Sequence, residues 1–273
     1  MLRMESETGW WLIRHPDHAE LAGVFAAAWG NTMFRRPEPR TRVLHGIARH
    51  DDGWAVRDAH PSITRQGRPS AFSKELVGKY SAFEEIDLAD YLAVRDRAVR
   101  IIAEKDPYAG LLIAMHTYNL LTEHADRSTI EPEGLVLLDA FLEKQSVYQQ
   151  ELRGAIDGDA TLDRVARDAQ TILEHFRLLQ ACDNLSLLTC VAYTTPAHLL
   201  HPLPLNDGSA SEVRVLPQGS RQFRLEPWPF EQSTLEFEFP ARHVQGRVFE
   251  DSAELKDAYH RAPVERLSVR LTA

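Results

Sequence analysis

The sequence predicts a mainly α protein, a helical bundle followed by a small C-terminal antiparallel β subdomain, and three observations predict it. Apolar residues recur at helical spacing in long runs up to about residue 199. After Pro196 prolines recur and the apolar period falls to two. Within the helical part, four apolar stripes are each interrupted by a histidine or an aspartate. The expected organisation is a helical, metal-binding core over 1–199 and a β-rich subdomain over 200–273 packed on it.

Trp10 to Ile13 is a short aromatic and β-branched run that Pro16 closes, so it reads as a strand available to pair with the later ones. Asp17 then opens a helix that runs to Trp29 and ends at Gly30-Asn31. A second helix starts near Arg40 and weakens at Gly53. From Asp58 to Tyr80 the pattern dissolves into Pro, Ser, Gly and charge, a length of irregular chain that suits a lid or binding loop. Leu88 to Lys105 and Pro107 to Glu123 read as helices split by Asp106-Pro107, and Glu133 to Ile156 and Leu162 to Tyr193 as two more. Strands are expected at Glu212–Leu216, Gln222–Leu225, Thr234–Phe239, Arg247–Phe249 and Arg266–Leu271.

The interruptions carry the chemistry. His18 lies on the stripe Leu21, Ala22, Phe25, Trp29, and His50 shares a face with Val43, Ile47 and Trp54. His116 continues Leu112, Ile113 and Leu120, and Asp183 continues Ile172, Phe176, Leu179 and Leu187. A bare buried carboxylate is costly. Inward imidazoles and carboxylates from several helices are most simply satisfied by a shared metal ion. Asp51 follows His50 where the helix unwinds, so both side chains can reach one ion. Imidazole and carboxylate without thiolate suit a divalent transition metal, Fe, Mn or Zn.

The chain resembles DUF3891, a family of bacterial proteins of uncharacterised activity, through Asp17-His18-Ala19, Leu21-Ala22-Gly23, His50-Asp51-Asp52-Gly53-Trp54, Asp58 and Pro61. More distantly, the ordered set His18, His50-Asp51 and Asp183 resembles the metal site of the HD superfamily of hydrolases. That resemblance implies an HD-like bundle and metal-dependent hydrolysis, of a phosphoester or related bond. His116 as a fifth ligand would match dinuclear members, which include a diiron oxygenase branch. Asp52-Gly53-Trp54 departs from the superfamily, in which a lysine commonly follows the doublet.

Around these ligands, Asp52 is a candidate base for metal-bound water, and Trp54, Asp58 and His60 are candidate substrate contacts. Each has a plainer role beside it: Trp54 as a core filler, and Asp58 and His60 as shapers of the turn before Pro61. His45 and His124 are spare histidines read as solvated. The plainest reading of the whole set is a non-enzymatic binding or scaffold protein with structural histidines.

Composition narrows the partners to a small-molecule substrate. A formal charge of -9 argues against nucleic acid. No apolar run approaches a membrane span, and no basic-then-apolar leader pattern is present, so a cytoplasmic protein is expected. Cys182 and Cys190, separated by about 12 Å of helical rise, read as core residues of a reducing compartment. Substrate and oligomeric state leave no mark in the sequence.

Overall fold

The computed structural model describes residues 1–77, 87–123 and 125–273. The chain begins with strands β1 (Leu2–Glu5) and β2 (Gly9–Ile13), then helices α1 (His15–Ala28), α2 (Arg40–Arg49) and the short α3 (Ala55–Asp58). Longer helices follow: α4 (Leu88–Ala103), α5 (Pro107–Thr122), α6 (Pro132–Asp157) and α7 (Ala169–Cys190). The C-terminal part comprises β3 (Ala197–His198), β4 (Leu203–Pro204), β5 (Ala210–Ser211), β6 (Arg214–Gly219), β7 (Gln222–Glu226), β8 (Thr234–Gln245), α8 (Ser252–Arg261) and β9 (Val264–Thr272).

Aspartate sets half of the helix starts. Asp87, Asp106, Asp168 and Asp251 each accept a hydrogen bond from a first-turn backbone N–H of α4, α5, α7 and α8, satisfying donors that the helix leaves orphaned. Asp17 does not cap α1. The helix begins at His15, and Asp17 sits in its first turn, held by Arg14.

The architecture corrects the expected helical bundle with a small β appendage. Seven strands form one sheet in the order β1-β2-β8-β9-β7-β6-β3, mixing both ends of the chain. β2 pairs antiparallel with β8 in the register Trp10↔Val244, and β9 lies antiparallel to β8 and parallel to β7. The physical reason is burial on both faces of β2. Ile13 joins the main core, whereas Trp10 and Leu12 join a second cluster with Val244, Leu255 and Tyr259 beneath α8. Such a strand reads as a continuous apolar run and gives no alternation to mark it as part of a large sheet.

Two further expectations change. Arg247–Phe249 is not a strand, because β8 already runs to Gln245 and the chain turns at Gly246. Pro240, expected to end the strand, sits inside β8 just past the stretch paired with β2, where the missing N–H costs no bond to that neighbour.

The helical layer lies against one side of this sheet through α1 and α7, and α8 packs on the other. α1 packs on α2, α7 and β8, and α5 packs on α2, α4, α6 and α7. One core runs through both layers, from Phe25, Ile47, Leu112 and Leu179 in the helices to Phe223, Phe239 and Val269 in the sheet. Phe25 meets Phe237 edge to face at 5.2 Å between centroids. The segment after Asp58 is bound to the sheet flank, through Phe72 N–H to Met1 O, Arg3 N–H to Phe72 O and Phe249 N–H to Gly67 O. His124 and the end of the Asp58–Tyr80 segment lie outside the described residues. No helix among the described residues is long and apolar enough to cross a membrane. Cys182 and Cys190 are both free and buried.

Candidate metal centre

Four helices deliver the cluster, and each delivers its residue on its buried face. His18 comes from α1, His50 caps the C-terminus of α2 with Asp51 beside it, His116 comes from α5 and Asp183 from α7. All five are buried, with Asp183 the most exposed at 7%. Adjacent residues inside a regular helix diverge by about a hundred degrees. Asp51 escapes that constraint because its backbone, at φ -116°, has left the helix.

The donor atoms face one another. His18 Nε2 lies 3.1 Å from Asp51 Oδ2, and His50 Nε2 lies 3.2 Å from Asp183 Oδ1 and 3.9 Å from Asp51 Oδ2. His116 Nε2 is 3.7 Å from Asp183 Oδ2. Two overlapping groups result, His18, His50 and Asp51, and His50, His116 and Asp183, each with ligand atoms within 4.8 Å of one another. For metal–ligand bonds of about 2.0–2.2 Å, such spacings match the edges of a coordination shell. The group can hold a metal ion.

Hydrogen bonds on the far side of the rings fix which nitrogen faces inward. His50 Nδ1–H donates to Ile47 O at 2.8 Å. Ser186 Oγ–H donates to Asp183 O at 2.8 Å, and its oxygen therefore accepts from His18 Nδ1–H at 2.9 Å. Both imidazoles thus turn a lone pair on Nε2 toward a carboxylate oxygen. A proton or a cation must lie between. Among the described residues His50 Nε2, His116 Nδ1 and Asp183 Oδ1 are buried without a hydrogen-bond partner, an arrangement with a cost unless something fills it.

Electrostatics shows how the fold carries this without an ion. Burial would push the His50 imidazole down, but Asp51 and Asp183 outweigh it and raise it to about 9. Despite burial, His50 in turn holds Asp183 at about 2. Burial pushes His116 down to about 3 and keeps it neutral. Asp51 is held well below the carboxylate range because Arg95 and His50 together overcome its desolvation. Arg95 Nη1–H donates to Asp51 Oδ1 at 2.7 Å, while its guanidinium lies 5.4 Å over Trp54 and 5.2 Å over Tyr91.

The surrounding candidates separate. Trp54 is buried and stacks on His15 at 4.3 Å, forming one wall. Asp58 is buried behind that wall, 3.1 Å from His15 Nδ1 and accepting from the Met1 amino group at 2.7 Å. Asp52 is not brought in: its nearest cation is Arg49 at 3.8 Å. His60 is exposed in a surface cleft with Gly53, Arg57 and Arg97, and His45 is half exposed near Asp106. Sequence reasoning missed Arg95, His15 and Ser186. Arg95 had a signal, since it falls on the buried stripe Tyr91, Leu92, Ala98, Val99 and Ile102 of α4.

A family model described as a protein of unknown function, DUF3891, matches residues 1–246 and so spans every residue of this cluster. The chain belongs to that family. No curated protein and no solved structure gave a match. The ordered His and Asp residues remain a weak hint of an HD-like ligand pattern, and the fold around them is not the expected bundle.

Proposed function

We propose that the cluster holds a single divalent transition metal ion and that the protein is a metal-dependent hydrolase acting on a small-molecule ester, with phosphoesters the first class to test. The observation that carries this reading is the pair of imidazole lone pairs aimed at carboxylate oxygens 3.1 and 3.2 Å away. A single ion suffices, because His50 belongs to both ligand groups and, with its Nδ1 engaged by Ile47 O, offers one nitrogen lone pair to one ion. A bound divalent cation supplies Lewis acidity and a water that ionises near neutral pH. The protein's part is to hold the donors. Ser186 and Ile47 orient the two imidazoles. Arg95 occupies Asp51 Oδ1 and leaves Oδ2 as the inward donor. Trp54 and Tyr91 cover Arg95 and keep water from that carboxylate.

A second reading has its own observation. With His50 protonated, His50 and Arg95 balance Asp51 and Asp183 in charge. A buried network of that kind can be structural. Elemental analysis of protein purified without chelator or an affinity-tag metal separates the two. The hydrolase reading expects close to one Mn, Fe or Zn per chain, activity of the reconstituted protein on phosphomonoesters or phosphodiesters, and loss of metal and activity in Asp51→Asn. Oxygen uptake by the ferrous form would instead point to oxidative chemistry. A chain that takes up none of these metals leaves the structural network as the function of the cluster.

A further inference from the structure

Away from the histidine cluster, β2, α3, β8 and α8 border a partly open cavity of about 260 Å³. Its wall carries Arg14, Asp17, Arg242, Tyr259 and His260 over the apolar side chain of Leu12. Arg14 donates to both oxygens of Asp17, at 2.8 and 2.6 Å, and those two charges cancel. Arg242 has no carboxylate partner among the described residues. One of its N–H groups caps the end of α8 at Ala262 O, and its guanidinium lies 5.2 Å over the Tyr259 ring. Arg242 is half-buried, so part of its guanidinium remains available to an occupant of the cavity.

Tyr259 makes the second observation. Its side chain lines the cavity although the residue is only 5% exposed, and its hydroxyl makes no hydrogen bond among the described residues. The hydroxyl is not sealed from solvent and is open to donate to an occupant of the cavity. His260 donates Nε2–H to Ala59 O at 3.0 Å, which fixes its ring at the rim. A guanidinium with N–H groups beyond the one that Ala262 O accepts, beside a phenolic O–H with no bond of its own among the described residues, forms a receptor for an oxyanion, because both donate and the remaining edge of the fork matches two oxygens at once.

We propose that this cavity is a binding site for a small molecule bearing one carboxylate or phosphate group, its oxyanion held by Arg242 and the Tyr259 hydroxyl and its carbon skeleton against Leu12. The volume suits a compound of a few carbon atoms. The site is separate from the metal cluster and does not depend on it.

Calorimetric titration of chelator-treated protein with inorganic phosphate, and in parallel with succinate, tests the site and tells the two anion chemistries apart. Saturable one-to-one binding of either probe is expected. Tyr259→Phe keeps the ring under Arg242 and removes only the hydroxyl, so affinity should fall about fivefold with an unchanged melting temperature. Arg242→Gln should weaken binding by about tenfold or more, and Asp51→Asn should leave it unchanged. Absence of saturable binding by both probes overturns the proposal. So does wild-type affinity in Tyr259→Phe, or loss of binding in Asp51→Asn, which would place the anion at the histidine cluster instead.

Discussion

At His50, burial alone favours the neutral imidazole, and Asp51 and Asp183 reverse that preference to about 9. His116 and His15, without enough compensating charge, are pushed down by burial to about 3 and about 4. These opposite displacements give the metal-free fold a definite pH signature. The raised His50 contributes stability that is complete below its unfolded value near 6.5 and is lost as pH climbs toward about 9. The depressed His116 and His15 work the other way: the unfolded chain takes up their protons below 6.5 and the folded one does not, so stability falls on acidification. The melting temperature of chelator-treated protein should therefore peak near pH 6.5 and decline on both sides. A flat profile between pH 5 and 9 would contradict the buried charge assignment. At this scale the sequence was informative, since His18, His50, His116 and Asp183 announced themselves as breaks in apolar stripes and Asp51 as the residue beside His50 where the helix unwinds. Asp52 lies apart from them, because the chain direction that turns Asp51 inward carries its neighbour out to Arg49.

Among the elements, the approach of α4 to the turn after α2 controls the cluster. Gly53 permits it through space and not through an unusual dihedral: a Cβ there would lie 2.4 Å from Val94 O and 2.7 Å from Ala98 N, both backbone. Gly53→Ala must push α4 away, and with it Arg95 from Asp51. The expected cost is on the order of 2 kcal/mol, visible in denaturant unfolding, with metal uptake reduced in parallel. Full uptake in a destabilised Gly53→Ala would show that Arg95 does not set the Asp51 geometry. The helices α1, α2 and α4 to α7 were legible because their apolar periods are local, and α4, α5 and α7 carry aspartate caps as well. α8 had the same signals, an Asp251 cap with Leu255 and Tyr259 four residues apart, yet its neighbourhood of short strands and prolines concealed it.

For the whole molecule, the sheet was the illegible part. β2 and β8 pair across more than two hundred residues, Trp10 with Val244, and nothing in local periodicity specifies a partner that distant. The order of strands carries a consequence for any shortened chain. β9, the last strand, stands between β8 and β7. A chain ending at residue 246, where the family match ends, would retain every cluster residue and lose that central strand together with α8. It should fail to unfold cooperatively and should aggregate through the freed edges, as circular dichroism melting and size-exclusion chromatography would show. A sharp melt at the full-length temperature would mean that the helical layer and the β1–β2 pair suffice.

A single residue, Arg14, separates the end of β2 at Ile13 from the start of α1 at His15. So short a joint has no slack: the register of β2 on β8 and the position of His18 three residues into α1 are one rigid setting. Occupancy of the cluster and opening of the sheet are then two sides of one equilibrium, and a ligand that favours the closed form raises the free energy of opening by RT ln(1 + [L]/Kd). Manganese or zinc added to the metal-free protein should slow hydrogen exchange at the amides of Trp11 and Leu12, far along the chain from three of the four helices that supply the donors. Unchanged exchange there, with slowed exchange in α5 and α7, would mean that the cluster is anchored by the helices alone.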